Sequence, residues 1–237
     1  MGSLLKKRSF GRETSLGVIL VFTVGITGFI NPRFVTGDGT RDLLSATAIV
    51  ALLAIGIAPI MIMRHIDLSI ASTVGLSAWL VADSCAKNPS FTWLQCFLIG
   101  GFVGICVGVI NGLLVAGLRL PSLVVTLGTL YIVRGGVYVV STSVDYNAQE
   151  MPPSLLKLGQ KVFFGLLPFP FLLALILMAT VAWVMKYTKP GRDCYAIGSN
   201  PPAADLVGLK VFRRTFLAYI FSGFIAGIAG VFYLMRF

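Results

Sequence analysis

Charged residues are scarce in this sequence. They make up 12% of the 237 residues, about half of the roughly 25% that is usual in soluble domains. Hydrophobic residues account for 57%. A soluble core of this chain length cannot hide so much apolar surface, so lipid must be the second solvent.

Residues for catalysis and metal binding are also few. His65 is the only histidine, and the four cysteines follow no CxxC or metal-ligand spacing. The patterns GxxxxGK[ST], HExxH and GxSxG are missing, and the nine acidic residues are scattered. We therefore predict no catalytic residue, no metal ligand, no cofactor and no enzyme activity. Cys96 and Cys106, inside one apolar run, are predicted to be small packing residues.

The net charge of +10 would suggest a nucleic-acid partner in a soluble protein. Here, however, the basic residues cluster at the ends of apolar runs and form no basic stripe with interleaved aromatics. We predict no nucleic-acid partner, and we interpret the basic residues as topology signals.

Long apolar runs are what the sequence does contain. A membrane-spanning helix needs about 20 mostly apolar residues. Seven runs qualify, at about 15–31, 43–63, 68–84, 92–117, 121–141, 164–186 and 215–235. The sequence therefore predicts an all-α polytopic membrane helix bundle, with one transmembrane domain over residues 1–237.

The distribution of Lys and Arg predicts the orientation. With a cytoplasmic N-terminus, the inside segments hold Lys6, Lys7, Arg8, Arg12, Arg64, Arg119, Lys186, Lys189, Arg192, Lys210, Arg213 and Arg214. The outside segments then hold Arg33, Arg41, Lys87, Lys157 and Lys161. Twelve against five is the positive-inside pattern, which places the long loop 189–214 in the cytoplasm.

Small residues at four-residue spacing predict close helix packing. The predicted packing residues are Gly100, Gly104, Gly108 and Gly112 in the fourth run, with Gly223 and Gly227 in the last. In lipid, such faces let helix backbones approach closely.

Several polar residues lie in or beside the apolar runs, and their roles remain open at this stage. The Arg64–Asp67 stretch is either a tight cytoplasmic turn with Asp67 as a helix N-cap, or a break lining a polar path. Arg134 either reaches towards the outer face or faces the bundle interior, and the next two glycines suggest that its helix kinks or ends there. The candidate path residues are Asp67, Ser69, Asn111, Thr126, Thr129 and Arg134. For Asn111 and the two threonines, helix packing or backbone hydrogen bonding is the alternative.

Four segments together resemble the inner-membrane permeases of bacterial sugar ABC importers. They read RHIDLSIAST, NGLLVAGLRLPSLVVTLGTLYIVRG, GRDCYAIGSNPPAADLVGLKVFR and SGFIAGIAGV. The closest branch is the ribose, xylose, rhamnose and autoinducer-2 type, and the resemblance runs from about residue 45 to 237.

The resemblance implies a function and a set of partners. Permeases of this family translocate a monosaccharide or related small polyol across the bacterial cytoplasmic (inner) membrane. They work with a second permease subunit, two ATPase subunits and an extracytoplasmic sugar-binding protein. The permease itself binds no nucleotide.

The same resemblance assigns an ATPase-coupling helix to about residues 200–209. Its family pattern is kept here as Gly198, Asn200, Ala203, Ala204 and Gly208. Pro201 and Pro202 suit a helix start and Gly208 suits its end, and the two alanines are expected to leave room for a partner's groove.

The sequence departs from the family at two places. Arg64 and His65 stand where many members have glycines, as basic or polar residues do in the rhamnose and autoinducer-2 branches. Family members also continue beyond the position of Phe237, so this chain is expected to be truncated.

Two other functions compete with this interpretation. An ion-coupled secondary transporter would need buried acids, for which Asp67 and Asp83 are the candidates. An intramembrane enzyme would need the catalytic clusters that the sequence lacks.

Overall fold

The computed structural model describes residues 2–141 and 146–236, and helices dominate that part of the chain. The α-helices are α1 (Gly2–Ile30), α2 (Gly37–Ile62), α3 (Ile70–Lys87), α4 (Trp93–Gly112), α5 (Ser122–Val140), α6 (Pro153–Gln160), α7 (Phe169–Tyr187), α8 (Lys189–Ser199), α9 (Pro201–Leu206) and α10 (Val211–Leu234). The shorter elements are 3-10 turns at Pro32–Val35 and Ala148–Glu150, a π-helical turn at Leu113–Gly117, and an antiparallel pair of strands, β1 (Val162–Phe163) and β2 (Leu167–Pro168).

The predicted all-α membrane bundle is confirmed as a fold class. Each of the seven predicted runs overlaps a helix. Five of the described helices, α2, α4, α5, α7 and α10, are long and apolar enough to cross a membrane. In α1 the apolar part is the shorter segment Thr14–Ile30, and α3 is not among the five. The count of seven spans therefore stays a prediction.

The chain divides into two compact units, residues 1–44 and 45–237. In the first unit, α1 is followed by the Pro32–Val35 turn. Asn31 caps the start of this turn, because its side chain accepts a hydrogen bond from the Arg33 amide at 3.1 Å. Asp38 and Arg41 form an exposed ion pair. The prediction of one domain over the whole chain stays a prediction.

In the second unit, α10 is the central helix. In the 18-residue apolar stretch of α10, 72% of the residues are buried, whereas the corresponding share is 17% in α5 and in α7. It packs chiefly against α4 and then against α3. One group of buried side chains surrounds Phe232 and Leu52, and another surrounds Tyr219 and Met63. The enclosed position of α10 means that its side chains can connect all the neighbouring helices.

Glycines set the distance between α4 and α10. A Cβ atom on Gly104 would collide with the Gly223 carbonyl, and one on Gly108 with the Tyr219 carbonyl. In the reverse direction, a Cβ on Gly227 would collide with the Gly100 carbonyl. Gly112 lies farther along the same face, where a Cβ would meet the Phe216 ring at 2.9 Å. The backbones of α4 and α10 are therefore in close contact along the glycine face that the four-residue spacing predicts.

Two local expectations are wrong. α5 runs through Arg134 and its two following glycines as far as Val140, so the helix does not end there. Cys106 is exposed, unlike the buried Cys96, and does not pack inside the bundle. α3 is preceded by Ser69, whose side chain makes no capping bond, whereas the Asp67 carboxylate accepts a hydrogen bond from the Ser69 amide, so Asp67 caps the start of the helix as the first alternative predicted.

Candidate functional site

A buried polar cluster lies in the second unit, where the Met63–Ser69 turn meets the helices. Asp67 is 4% exposed and Ser69 is 1% exposed. One carboxylate oxygen of Asp67 accepts hydrogen bonds from the Ser69 hydroxyl at 2.6 Å and from the Ser69 amide at 3.0 Å. The Asp67 side chain thus fixes its own turn just before α3 begins.

Three helices contribute to this cluster. The second carboxylate oxygen of Asp67 accepts a bond from Ser222 of α10 at 3.1 Å. The Asn111 amide of α4 donates to the Ser69 hydroxyl at 2.8 Å, and its carbonyl oxygen accepts from Thr129 of α5 at 2.6 Å. The cluster therefore joins the turn to α4, α5 and α10 through charge-assisted and neutral hydrogen bonds.

A second set of bonds holds the backbone of the same turn. Thr126 of α5 donates to the Ile66 carbonyl and to its own Ser122 carbonyl, while the Ser122 hydroxyl accepts from the Ile66 amide. Tyr219 of α10 also donates to the Ile66 carbonyl at 3.3 Å. Both backbone groups of Ile66 are therefore satisfied by neighbouring helices, which suits non-helical backbone among apolar helices.

Five of the six candidate path residues thus come together in one hydrogen-bonded network. Asp67, Ser69, Asn111, Thr126 and Thr129 are buried, and each has the partners given above. The network joins the turn to three helices as a clamp would, and a role of these five residues in the solute path stays a prediction.

Arg134 is separate from this cluster. It lines a cavity of about 220 Å³ between α3 and α5, together with Ser72 and Gly75 of α3 and Leu130 and Val137 of α5. The Arg134 side chain is exposed, and a Cβ on Gly75 would meet no atom within 4 Å. Ionisable residues within membrane-spanning helices mark solute pathways in many membrane proteins, so Arg134 stays a candidate path residue.

The segment predicted as the coupling helix, about 200–209, contains the short helix α9 with the expected start and end. The Asn200 side chain accepts a hydrogen bond from the Ala203 amide at 3.2 Å, as an N-cap does, and Pro201 occupies the first helical position. Gly208 has a φ of +77°, and the Leu209 amide donates back to the Ala204 carbonyl at 3.0 Å. This left-handed ending suits glycine.

The helix before it, α8, was not predicted from the sequence. α8 lies on the Met63–Ser69 turn: a Cβ on Gly198 would collide with the Ile62 carbonyl, and Arg64 donates to the Ser199 carbonyl at 3.1 Å. At its other end, Asp193 forms a salt bridge with Arg214 of α10 at 2.6 Å. α8 is therefore fixed both to the turn that carries Asp67 and to the central helix.

The two alanines of α9 differ in their surroundings. Ala204 is 4% exposed and belongs to the buried group around Met63 and Tyr219, whereas Ala203 is exposed. The expectation that both leave room for a partner is therefore wrong for Ala204, because this chain itself occupies the space beside it. Ala203 remains available on the outer side of α9.

Sequence reasoning missed several contacts that hold the site. Ser222 is not among the predicted site residues, yet its hydroxyl donates a hydrogen bond to Asp67. Ser77 of α3 donates to the Gly227 carbonyl at 2.8 Å, and Gly191 of α8 has the Met185 backbone where a Cβ would lie. The small size of these residues was the available signal, but it does not identify their partners.

Metal-binding groups are not assembled in the described residues. Within 2–141 and 146–236 no three His, Cys, Asp or Glu side chains lie close enough to hold an ion. The nearest approach of thiols is between Cys85 and Cys96, whose sulfur atoms are 3.5 Å apart and buried.

Comparison with known proteins gives consistent relatives. The family model described as "Branched-chain amino acid transport system / permease component" matches residues 39–237. The autoinducer 2 import system permease protein LsrC of Enterobacter sp. (strain 638) is 35% identical over 98% of this chain and 65% of the relative. LsrC of Klebsiella pneumoniae is 34% identical over 98% of this chain and 64% of the relative.

More distant relatives carry the same description. LsrC of Yersinia pestis (strain Pestoides F) is 31% identical over 96% of this chain and 64% of the relative. This chain thus spans a little less than two thirds of the length of these relatives. No solved structure matches it. The family match and the apolar helices together indicate a multi-pass membrane protein, and the chain belongs to the branched-chain amino acid transport system / permease component family.

Proposed function

We propose that this chain is a permease subunit of an ATP-driven importer in the bacterial inner membrane. Its cargo is a monosaccharide, a related small polyol, or a sugar-like signal of the kind that the relatives' name, autoinducer 2 import, describes. One observation carries the proposal most strongly. The segment matching the family's coupling motif, α8 and α9, lies directly on the turn that anchors the buried polar cluster.

The proposed partners follow from the family. Two ATPase subunits hydrolyse ATP, a second permease subunit completes the path, and an extracytoplasmic binding protein delivers the cargo. In this arrangement the chain performs no chemistry of its own.

Transmission from the ATPase to the path would be mechanical. A displacement of α9 would move α8. Gly198 of α8 is in close contact with the Ile62 carbonyl, so α8 would move the Met63–Ser69 turn with it. The turn would then move α3, α4, α5 and α10 through the hydrogen bonds of the Asp67 cluster. Such packed elements rearrange between discrete states, as coupling requires.

We place the solute path along α3 and α5, beside Arg134. The cavity there is lined by a hydroxyl, a glycine and a guanidinium, and α5 buries only 17% of its apolar window. Arg134 would donate hydrogen bonds to hydroxyl oxygens of the cargo.

The orientation is testable with impermeant thiol reagents. In a Cys106→Ser background, Ser199→Cys should resist a reagent added outside intact cells, because the positive-inside pattern places α8 in the cytoplasm. Asn147→Cys, exposed in the loop after α5, should react. Labelling is measured by mass shift before and after permeabilisation. The reverse pattern would rule out the orientation and the docking of α9.

The two alanines of α9 provide a matched test of coupling. We expect Ala203→Trp to lower recovery of the ATPase complex while leaving the bundle's stability within about 0.5 kcal/mol, because Ala203 is exposed. Ala204→Trp should destabilise the bundle itself by about 1–3 kcal/mol, because it overfills a buried site.

Complex recovery, ATP-dependent uptake and detergent-phase unfolding would be measured for both variants. If Ala203→Trp binds its ATPase and transports at the parent rate, α9 is not the docking helix. Uptake driven by an ion gradient without ATP would instead support a secondary transporter.

A further inference from the structure

A second, larger cavity opens in the second unit beside the turn and α9. Its volume is about 720 Å³, and it is bounded by the Met63–His65 stretch, the Val115–Leu120 stretch and the segment from α9 to the start of α10. The basic residues in its lining are Arg64, Arg119, Lys210 and Arg213, and the acidic one among the described residues is Asp205. Arg64, Pro201, Pro202 and Asp205 of its lining also belong to the turn and to α9, but the coupling mechanism gives no role to the open space between them.

The positive charge of the cavity is not neutralised by the chain. In the described part of the protein, salt bridges are formed by Arg41, Lys87 and Arg214, and none involves a cation of this cavity. His65 also lines it, and burial lowers the pKa of His65 below its usual value, which disfavours a further positive charge there. Four cations against one carboxylate leave an excess of three positive charges.

Two of these cations have an uncommon backbone conformation. Arg64 has a φ of 64° and Arg119 a φ of 55°, in the left-handed region that residues other than glycine seldom adopt. The other such residue in the described chain, Phe164, lies in the turn between β1 and β2. Both arginines therefore sit where glycine would fit more easily, and both line the same cavity.

Apolar residues of the lining extend to the outer surface. Met63 and Val115 form buried walls, while Leu120 and Phe212 line the cavity and are themselves 43% and 50% exposed. Leu120 lies just before α5 and Phe212 lies in the first turn of α10, and both helices are apolar enough to span a membrane. The site thus combines a cationic part with an apolar opening at the side of the bundle.

We propose that this cavity binds the phosphate headgroup of an anionic phospholipid. Arginine donors match phosphate oxygens in a bidentate geometry, and basic pockets between membrane helices bind such headgroups. An acidic protein segment would meet the cations but would leave Leu120 and Phe212 uncovered, whereas a lipid satisfies both parts. The proposal rests on the membrane placement of this chain, and it does not require transport.

The test is lipid binding by the purified full chain in detergent, measured by native mass spectrometry. The probes are phosphatidylglycerol and phosphatidylcholine with identical acyl chains, and inorganic phosphate alone. The variant Arg119→Gln/Arg213→Gln removes two cations of the cavity. Lys186→Gln/Lys189→Gln removes two equivalent charges near the same loop that do not line it.

We expect the parent to prefer phosphatidylglycerol over phosphatidylcholine by about 25-fold or more. Each charge removed should weaken phosphatidylglycerol binding about fivefold, so the cavity variant should bind it about 25-fold more weakly than the parent. The control variant should bind it within about twofold of the parent. Arg119→Lys/Arg213→Lys, which keeps both charges, should restore most of the preference. Size-exclusion profiles verify that every variant is folded.

Several outcomes would overturn the proposal. These are equal binding of the two lipids, or a cavity variant that binds phosphatidylglycerol as the parent does. A third outcome is that inorganic phosphate binds as strongly as phosphatidylglycerol and depends on the same arginines. The ligand of the cavity would then be free phosphate and not a lipid. Failure of the transport proposal would appear in ATPase recovery and thiol labelling, and it would leave the lipid preference unchanged.

Discussion

Gly104→Ala is expected to destabilise the bundle by about 3 kcal/mol, at the upper end of the overpacking range, and Gly104→Leu to abolish folded protein. A Cβ at this position collides with the Gly223 carbonyl and lies 2.9 Å from the Gly227 amide nitrogen. These are backbone atoms in the middle of α10, so no side chain can move aside. The two helices would have to separate, which would break their dispersion contacts.

A glycine of α5 provides the control. A Cβ atom on Gly128 would meet no atom within 4 Å, so Gly128→Ala should be neutral or stabilising by up to about 1 kcal/mol through helix propensity. Unfolding in mixed micelles, followed by circular dichroism, measures both variants. Equal stability of Gly104→Ala and Gly128→Ala would contradict close packing of α4 against α10.

Asp67→Ala is expected to cost about 2–6 kcal/mol of stability. Its removal leaves the buried hydroxyl of Ser222 and the amide of Ser69 without their acceptor, at about 1–3 kcal/mol for each orphaned group. Because α10 and the turn are joined through this carboxylate, we also expect weaker coupling of ATP hydrolysis to uptake in the assembled importer. Asp67→Asn keeps one oxygen and should have an intermediate effect.

A double-mutant cycle separates the clamp from a general effect of lost charge. Asp67→Ala and Ser222→Ala should be non-additive by about 1 kcal/mol, since both remove the same hydrogen bond. Asp205→Ala, which removes an exposed carboxylate of α9, should stay within about 0.5 kcal/mol of the parent. Additive effects of the first pair would show that Asp67 does not hold α10.

The local features of this protein could be predicted from its sequence. The apolar runs indicated the helices, because a run of such length needs a helix to satisfy its backbone in lipid. The ends of α9 followed from Pro201, Pro202 and Gly208, whose backbone preferences act within a few residues. The glycines of α4 indicated a packing face, although not the helix that it meets.

Only the tertiary structure decided which polar residues meet. Asp67 and Ser222 are 155 positions apart, and their contact depends on the rotation and depth of α10 beside the turn. The same factors bury Ala204 and expose its neighbour Ala203, and they keep Arg134 out of the cluster that gathers the other candidate path residues. Composition and spacing fix the chemistry of each helix face, whereas the orientation of one helix against another is set by the packing of all of them together.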